Sequence, residues 1–185
     1  MCQFLKHSPS KKLTRILLIL GFLVFIPVYT YMLTFFKKLG IDSTEYSNML
    51  LSFDVGIFRA FIAELVRGDH LSQFLWVFQL NIISITGFMT AFFALGLIID
   101  RHIAAESWLF RFTFISPLLA VLVAALDIIA SLVFLFAGGD LVNITQYQVN
   151  IISLFYYVRV LVLYVVILWF IIAGIAVLLN RRRKK

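Results

Sequence analysis

Cysteine is almost missing: Cys2 is the single one in 185 residues. One thiol permits no internal disulfide and no multi-cysteine metal site. Acylation near a membrane is chemically open to it, and an unmodified thiol at a chain end is the simpler reading. Histidine is nearly as scarce. His7, His70 and His102 are isolated and none lies inside an apolar run. The chain has no HExxH, no CxxC and no P-loop. Intramembrane Ser, His or paired-Asp catalysis would each need a second reactive group that no apolar run supplies. No metal and no cofactor are expected, and enzyme chemistry is the least favoured class.

Charge is thin as well. Charged residues make up 14 % of the chain, against about 25 % in soluble domains. The net charge of +7 lacks the basic, aromatic-interleaved soluble domain that a nucleic-acid binder needs, so nucleic acid is not an expected partner. Eleven of the sixteen Lys and Arg lie in the two tails and one middle loop, flanking apolar runs. Basic flanks of that kind orient membrane helices and attract anionic lipid.

What is present is apolar surface. Hydrophobic residues reach 63 %, beyond the roughly 45–50 % of soluble domains, so lipid has to solvate most of it. A bilayer core about 30 Å thick takes roughly 20 helical residues to cross. Four segments qualify: Ile16 to Phe36 and Leu71 to Ile99 without charge, Phe112 to Gly139 with Asp127 alone, and Val149 to Asn180 with Arg159 alone. Trimmed to helices, they predict spans at 16–36, 74–98, 114–137 and 154–179 within one membrane domain, 1–185. The first is long and ends in Tyr29, Tyr31, Phe35 and Phe36 rather than a small-residue cleavage site, which predicts a retained signal anchor. Pro27 within it is expected to kink it.

Lys6, Lys11, Lys12 and Arg15 precede the first span, Arg181 to Lys185 follow the last, and the middle loop adds Arg101 and Arg111. The final loop, Gly138 to Ser153, has no Lys or Arg, and the first loop dilutes four of them among five acids. The positive-inside rule then predicts a multi-pass protein of the bacterial plasma (inner) membrane with both termini cytoplasmic.

The first loop is long enough to hold structure. Asp42-Ser43-Thr44-Glu45 reads as a helix start, with a capping oxygen and an acid three places on, and Gly68 as a stop. Leu51, Val55, Phe58, Ile62 and Leu65 recur between them at helical spacing. One amphipathic helix over 43–67 is expected, lying on the outer surface or over the bundle mouth, with a partner-binding helix as the other reading. Asn143-Ile144-Thr145 in the final loop matches an N-glycosylation pattern, a triplet common by chance.

Asp127 is the residue that costs most. An acid near mid-membrane is worth on the order of 2.5–3.5 kcal/mol on insertion scales, so it is expected to face the bundle interior. Ser131 follows one turn on, Asn81 and Ser84 lie in the outer half of the second span, and Arg159 enters from the outer end of the fourth. These five form the candidate cluster. It is either a polar cavity for a cation, a proton or a polar head group, or interhelical glue. Gly87 with Ala91 and Ala120 with Ala124 suit close helix contact, within the protomer rather than between copies.

Phe78-Gln79-Leu80-Asn81 and Ala125-Leu126-Asp127-Ile128 carry a resemblance to small uncharacterised four-span bacterial membrane proteins. These have a long amphipathic first outer loop, a polar residue early in the second span and an acid within the third. Many carry an acid at the place of Asn81 and an Asn where this chain has Ala130-Ser131. The resemblance implies a fold and no function. The expected class is an all-α integral membrane four-helix bundle with an amphipathic helix in the first outer loop. Its expected role is non-enzymatic, as an accessory subunit or a lipid- or ligand-binding bundle. The alternative is a small transporter or channel subunit using Asp127 for ion or proton coupling. The bilayer is the expected partner, together with a membrane protein or a second copy.

Overall fold

The structure is a computed structural model that describes residues 9–103, 114–137 and 143–183. Cys2, Lys6, His7, Arg111, Lys184 and Lys185, on which parts of the reading above rest, lie outside the described residues. Among the described residues six helices follow one another: α1 Lys11–Lys38, α2 Ser43–Leu51, α3 Val55–Arg67, α4 Leu71–Asp100, α5 Ile115–Ala137 and α6 Gln146–Arg183. Four of them, α1, α4, α5 and α6, are long and apolar enough to cross a membrane. The chain is thus an all-α bundle of four candidate spans with two short helices between the first and second.

The spans pack in sequence: α1 on α4, α4 on α5, α5 on α6. Of the apolar windows in α4 and α5, 39 % is buried, against 11 % in α1 and in α6. The two central helices therefore form the core and the outer two turn most of their Leu, Ile and Val outward. That surface suits acyl chains and no aqueous phase.

α1 can approach α4 because both lack side chains at the crossing. A Cβ added to Gly21 would lie 2.8 Å from the Gly87 carbonyl oxygen, and one added to Gly87 would lie 2.7 Å from the Phe25 nitrogen. Ala91, fully buried, completes the contact. The small residues on α4 thus serve packing within the protomer. α1 stays helical through Pro27 and closes in a Schellman turn. Gly40, at φ 70°, donates to Lys37 O, and Ile41 N donates to Phe36 O at 3.0 Å.

The first loop forms two helices rather than one. Phe53 adopts a left-handed backbone (φ 53°), and the Asp54 carboxylate then accepts from Gly56 N at 2.6 Å and Ile57 N at 3.3 Å. A second N-cap so close to the first restarts the helix in a new direction. The first cap is Asp42, which accepts from Thr44 N. With the turn made at 52–54, α3 sinks Phe58, Phe61, Ile62 and Leu65 into the end of the bundle. Phe74 stands at the centre of the aromatic cluster there, with Phe36, Tyr46, Phe61, Phe78 and Phe134 at ring-centroid distances of 5.6–6.1 Å. Phe78 and Phe134 stack at 4.2 Å. α2 and α3 are therefore a lid seated on α4, α5 and α6 by burial of aromatic surface.

Two polar clips hold the lid. Arg59 donates twice to Ile144 O, at 2.7 and 3.2 Å. The Gln146 amide accepts from Val55 N at 3.1 Å and donates to Phe53 O at 2.8 Å, so it straddles the turn between α2 and α3. Thr145, the last residue of the glycosylation-like triplet, caps α6. Its N–H donates to Gln148 Oε1 and its Oγ1 accepts from Gln148 N, a capping box.

Candidate functional site

Arg159 reaches Asp127 because α6 begins earlier than its apolar run suggests. The helix starts at Gln146, so Arg159 lies thirteen residues into it, about 20 Å along the axis. Asp127 lies ten residues from the end of α5, about 15 Å. On those counts the two residues differ by about 5 Å, roughly one helical turn, and Arg159 Nε stands 3.3 Å from Asp127 Oδ2. Burial is close to complete for the acid, at 6 % side-chain exposure, and partial for the arginine, at 20 %. The approach lacks hydrogen-bond alignment, so Asp127 Oδ2 and Arg159 Nε both keep an unfilled bonding position. The guanidinium also lies 5.0 Å from the centroid of the Tyr156 ring, a cation–π contact one turn back on α6.

A cavity of about 50 Å³ opens beside the pair. Asp127, Asn81, Ser131 and Arg159 line it, and so do Tyr46 from α2 and Tyr156. That is room for a few water molecules or one small cation, with polar partners for them. Apolar walls come from Leu50, Phe78 and Ile152, so the lid roofs a polar chamber. Burial pushes the Tyr46 phenol well above its ordinary value; the neighbouring Tyr156 and Asp127 add to this and Arg159 opposes it. The phenol is therefore a neutral hydroxyl at physiological pH, able to donate into the chamber.

Ser84 does not line this chamber. Three residues beyond Asn81 turns it about 60° around α4, and it borders an adjoining cleft of about 160 Å³ with Phe25, Tyr29, Val123 and Leu163. Asn81 and Arg159 line both spaces and form the wall between them. Tyr46 and Tyr156 are the members that sequence reasoning passed over. Tyr156 had a signal, its one-turn spacing from Arg159; Tyr46 had none, since the lid's fold decides where it points.

A second buried acid sits at the opposite end of the bundle. Asp100 is 2 % exposed. Its Oδ2 accepts from Phe114 N at 2.7 Å and from Ser116 Oγ at 3.2 Å, and its Oδ1 from Trp169 Nε1 at 3.3 Å. One carboxylate thereby ties α4 to the first turn of α5 and to α6. Phe114, at φ 67°, holds the strained backbone that aims its N–H at the acid. Asp100 falls just past the apolar run and reads in sequence as a loop residue. The sign that could have found it is Trp169, an indole donor deep in a span that needs an acceptor.

Four apolar spans, a lid and two buried carboxylate clusters define a helical integral membrane protein of the multi-pass class. No protein-family profile matches the chain, and neither curated proteins nor solved structures give a match. The four long apolar helices give a four-span membrane architecture, and no family is identified.

Proposed function

We propose that the chain is a non-enzymatic protein of a bacterial plasma membrane that acts as a lidded binding or accessory bundle, with Asp127 at its polar centre. The observation that carries this reading is the chamber itself. Six polar side chains from four helices converge on one small space beneath the lid. A pair kept only for packing would close on itself, with each hydrogen-bonding position met. The unfilled positions on Asp127 and Arg159 support a polar ligand, an ion or the head group of a lipid held from above by the lid. Ser84, on the adjoining cleft, belongs to the same polar zone through Asn81. Lys11, Lys12, Arg15 and Arg101 cluster at the end remote from the lid, and the positive-inside rule puts that end in the cytoplasm and the lid outside.

One second reading is favoured by the same buried pair: a small transporter or channel subunit in which Asp127 couples to an ion or proton. The chain purified in mild detergent and weighed by native mass spectrometry separates the two. A defined extra mass on the wild type, absent from Asp127→Asn, supports binding. A bare wild type, with ion or proton flux into liposomes that Asp127→Asn abolishes, supports coupling. A bare wild type with no flux rejects both.

A further inference from the structure

At the end remote from the lid, α1 and α4 frame a cavity of about 250 Å³ lined by Lys11, Thr14, Arg15, Ile98, Arg101 and His102. Three cationic side chains and an imidazole face one space, and among the described residues no acid lines it. The first turn of α1 carries no acid either. Among the described residues, Lys11 and Arg15 enter no ion pair. Two of the other groups are held in place. Arg101 donates to Thr14 Oγ1 at 3.2 Å and to Pro9 O at 2.9 Å, which lays its guanidinium across the start of α1. His102 uses Nδ1–H toward Ile98 O at 2.6 Å, so Nε2 donates to a phosphate oxygen only when the ring is the doubly protonated imidazolium.

Residues that only mark orientation need to lie near the membrane surface, and nothing requires them to converge. Here they come from two helices and meet over a partly apolar floor formed by Ile98 and the buried Thr14. The site lies where one candidate span begins and another ends, the part of a spanning helix that basic residues and lipid head groups share. From this geometry we infer that the pocket of Lys11, Arg15, Arg101 and His102 binds the phosphate of an anionic phospholipid head group. The phosphodiester takes the basic side chains, and the glycerol backbone and upper acyl chains lie on the apolar wall between α1 and α4. The site is separate from the Asp127 chamber and does not depend on its role.

The test is lipid titration of the full-length chain in nonionic detergent, read by native mass spectrometry. The probes are phosphatidylglycerol, phosphatidylcholine and inorganic phosphate. Each basic side chain near an anionic surface contributes on the order of fivefold in affinity, so Lys11→Gln/Arg15→Gln is expected to weaken phosphatidylglycerol binding roughly 25-fold. Lys184→Gln/Lys185→Gln, which changes the C-terminal tail, is expected to leave that site unchanged. Both α1 side chains are exposed, so circular dichroism should show the fold intact. Equal affinity for phosphatidylglycerol and phosphatidylcholine would overturn the proposal. So would a loss of equal size in the tail variant, which would make the attraction diffuse. Stoichiometric inorganic phosphate with no gain from the lipid would assign the pocket to free phosphate instead.

Discussion

Replacing Arg159 by glutamine strands the Asp127 carboxylate 6 % exposed between two spans. Removing one partner of a buried ion pair costs roughly 3–5 kcal/mol. The loss here should sit at the lower end, about 3 kcal/mol, because Arg159 is 20 % exposed and the chamber can admit water to the abandoned acid. Asp127→Asn leaves the cation unpaired, but its long stem can turn toward the head groups, so about 1–2 kcal/mol is expected. The double variant removes both charges and should lose little more than Asp127→Asn alone. The cycle then gives a coupling of about 2 kcal/mol or more. The assay is reversible unfolding in mixed micelles with rising dodecyl sulfate, followed by helical circular dichroism. Additivity within about 0.5 kcal/mol would refute the pair as an energetic unit.

At the α1–α4 crossing, Gly87→Leu should cost about 2–3 kcal/mol or separate the helices, because the clash is with backbone. Gly174→Ala meets nothing within 4 Å and should gain about 0.5 kcal/mol in the same unfolding assay. Asp54→Ala with Gln146→Ala removes the second cap and one clip, and hydrogen exchange should rise across Val55–Arg67 while the middle of α4 stays protected. Asp100→Ala leaves the Phe114 N–H and the Trp169 indole without their acceptor; roughly 1–3 kcal/mol should be lost, with a shift in Trp169 emission. Raising the Tyr46 phenol above its ordinary value of 10.0 makes its contribution complete below that pH and lost as pH climbs toward the shifted value. Difference titration against Tyr46→Phe should therefore show no phenolate from this ring at pH 10.

The four spans were legible because hydrocarbon leaves little choice: an apolar run of about twenty residues, with at most one charge, has one stable solution. The ends were less legible. Polar residues continue α6 back to Gln146 and α4 on to Asp100, since a helix does not stop where its apolar face does. That difference hid Asp100, whose place at the end of α4 the apolar run does not reveal. Asp127 stood out because of its cost in lipid, and Asn81, Ser131 and Arg159 by helical spacing to it or depth near it. The break at Ser52-Phe53-Asp54 has neither Gly nor Pro to mark it. It exists because burying Phe58 and Ile62 over the bundle outweighs a strained Phe53, a tertiary gain invisible along the sequence. Tyr46 follows from that break, so the roof of the chamber could not be read before the lid was seen.

The central claim is that a polar chamber lies at Asp127 beneath a lid that can admit a ligand. Ser131→Cys in a Cys2→Ser background places a single thiol in its wall, and Asn48→Cys supplies an exposed comparison on α2. The measurement is the rate of reaction with a small water-soluble thiol reagent, with and without Gln146→Ala. The account predicts a rate well below that of Asn48→Cys, raised severalfold when the Gln146 clip is removed. A thiol at position 131 that reacts as fast as the exposed one, or that ignores the clip, would contradict it.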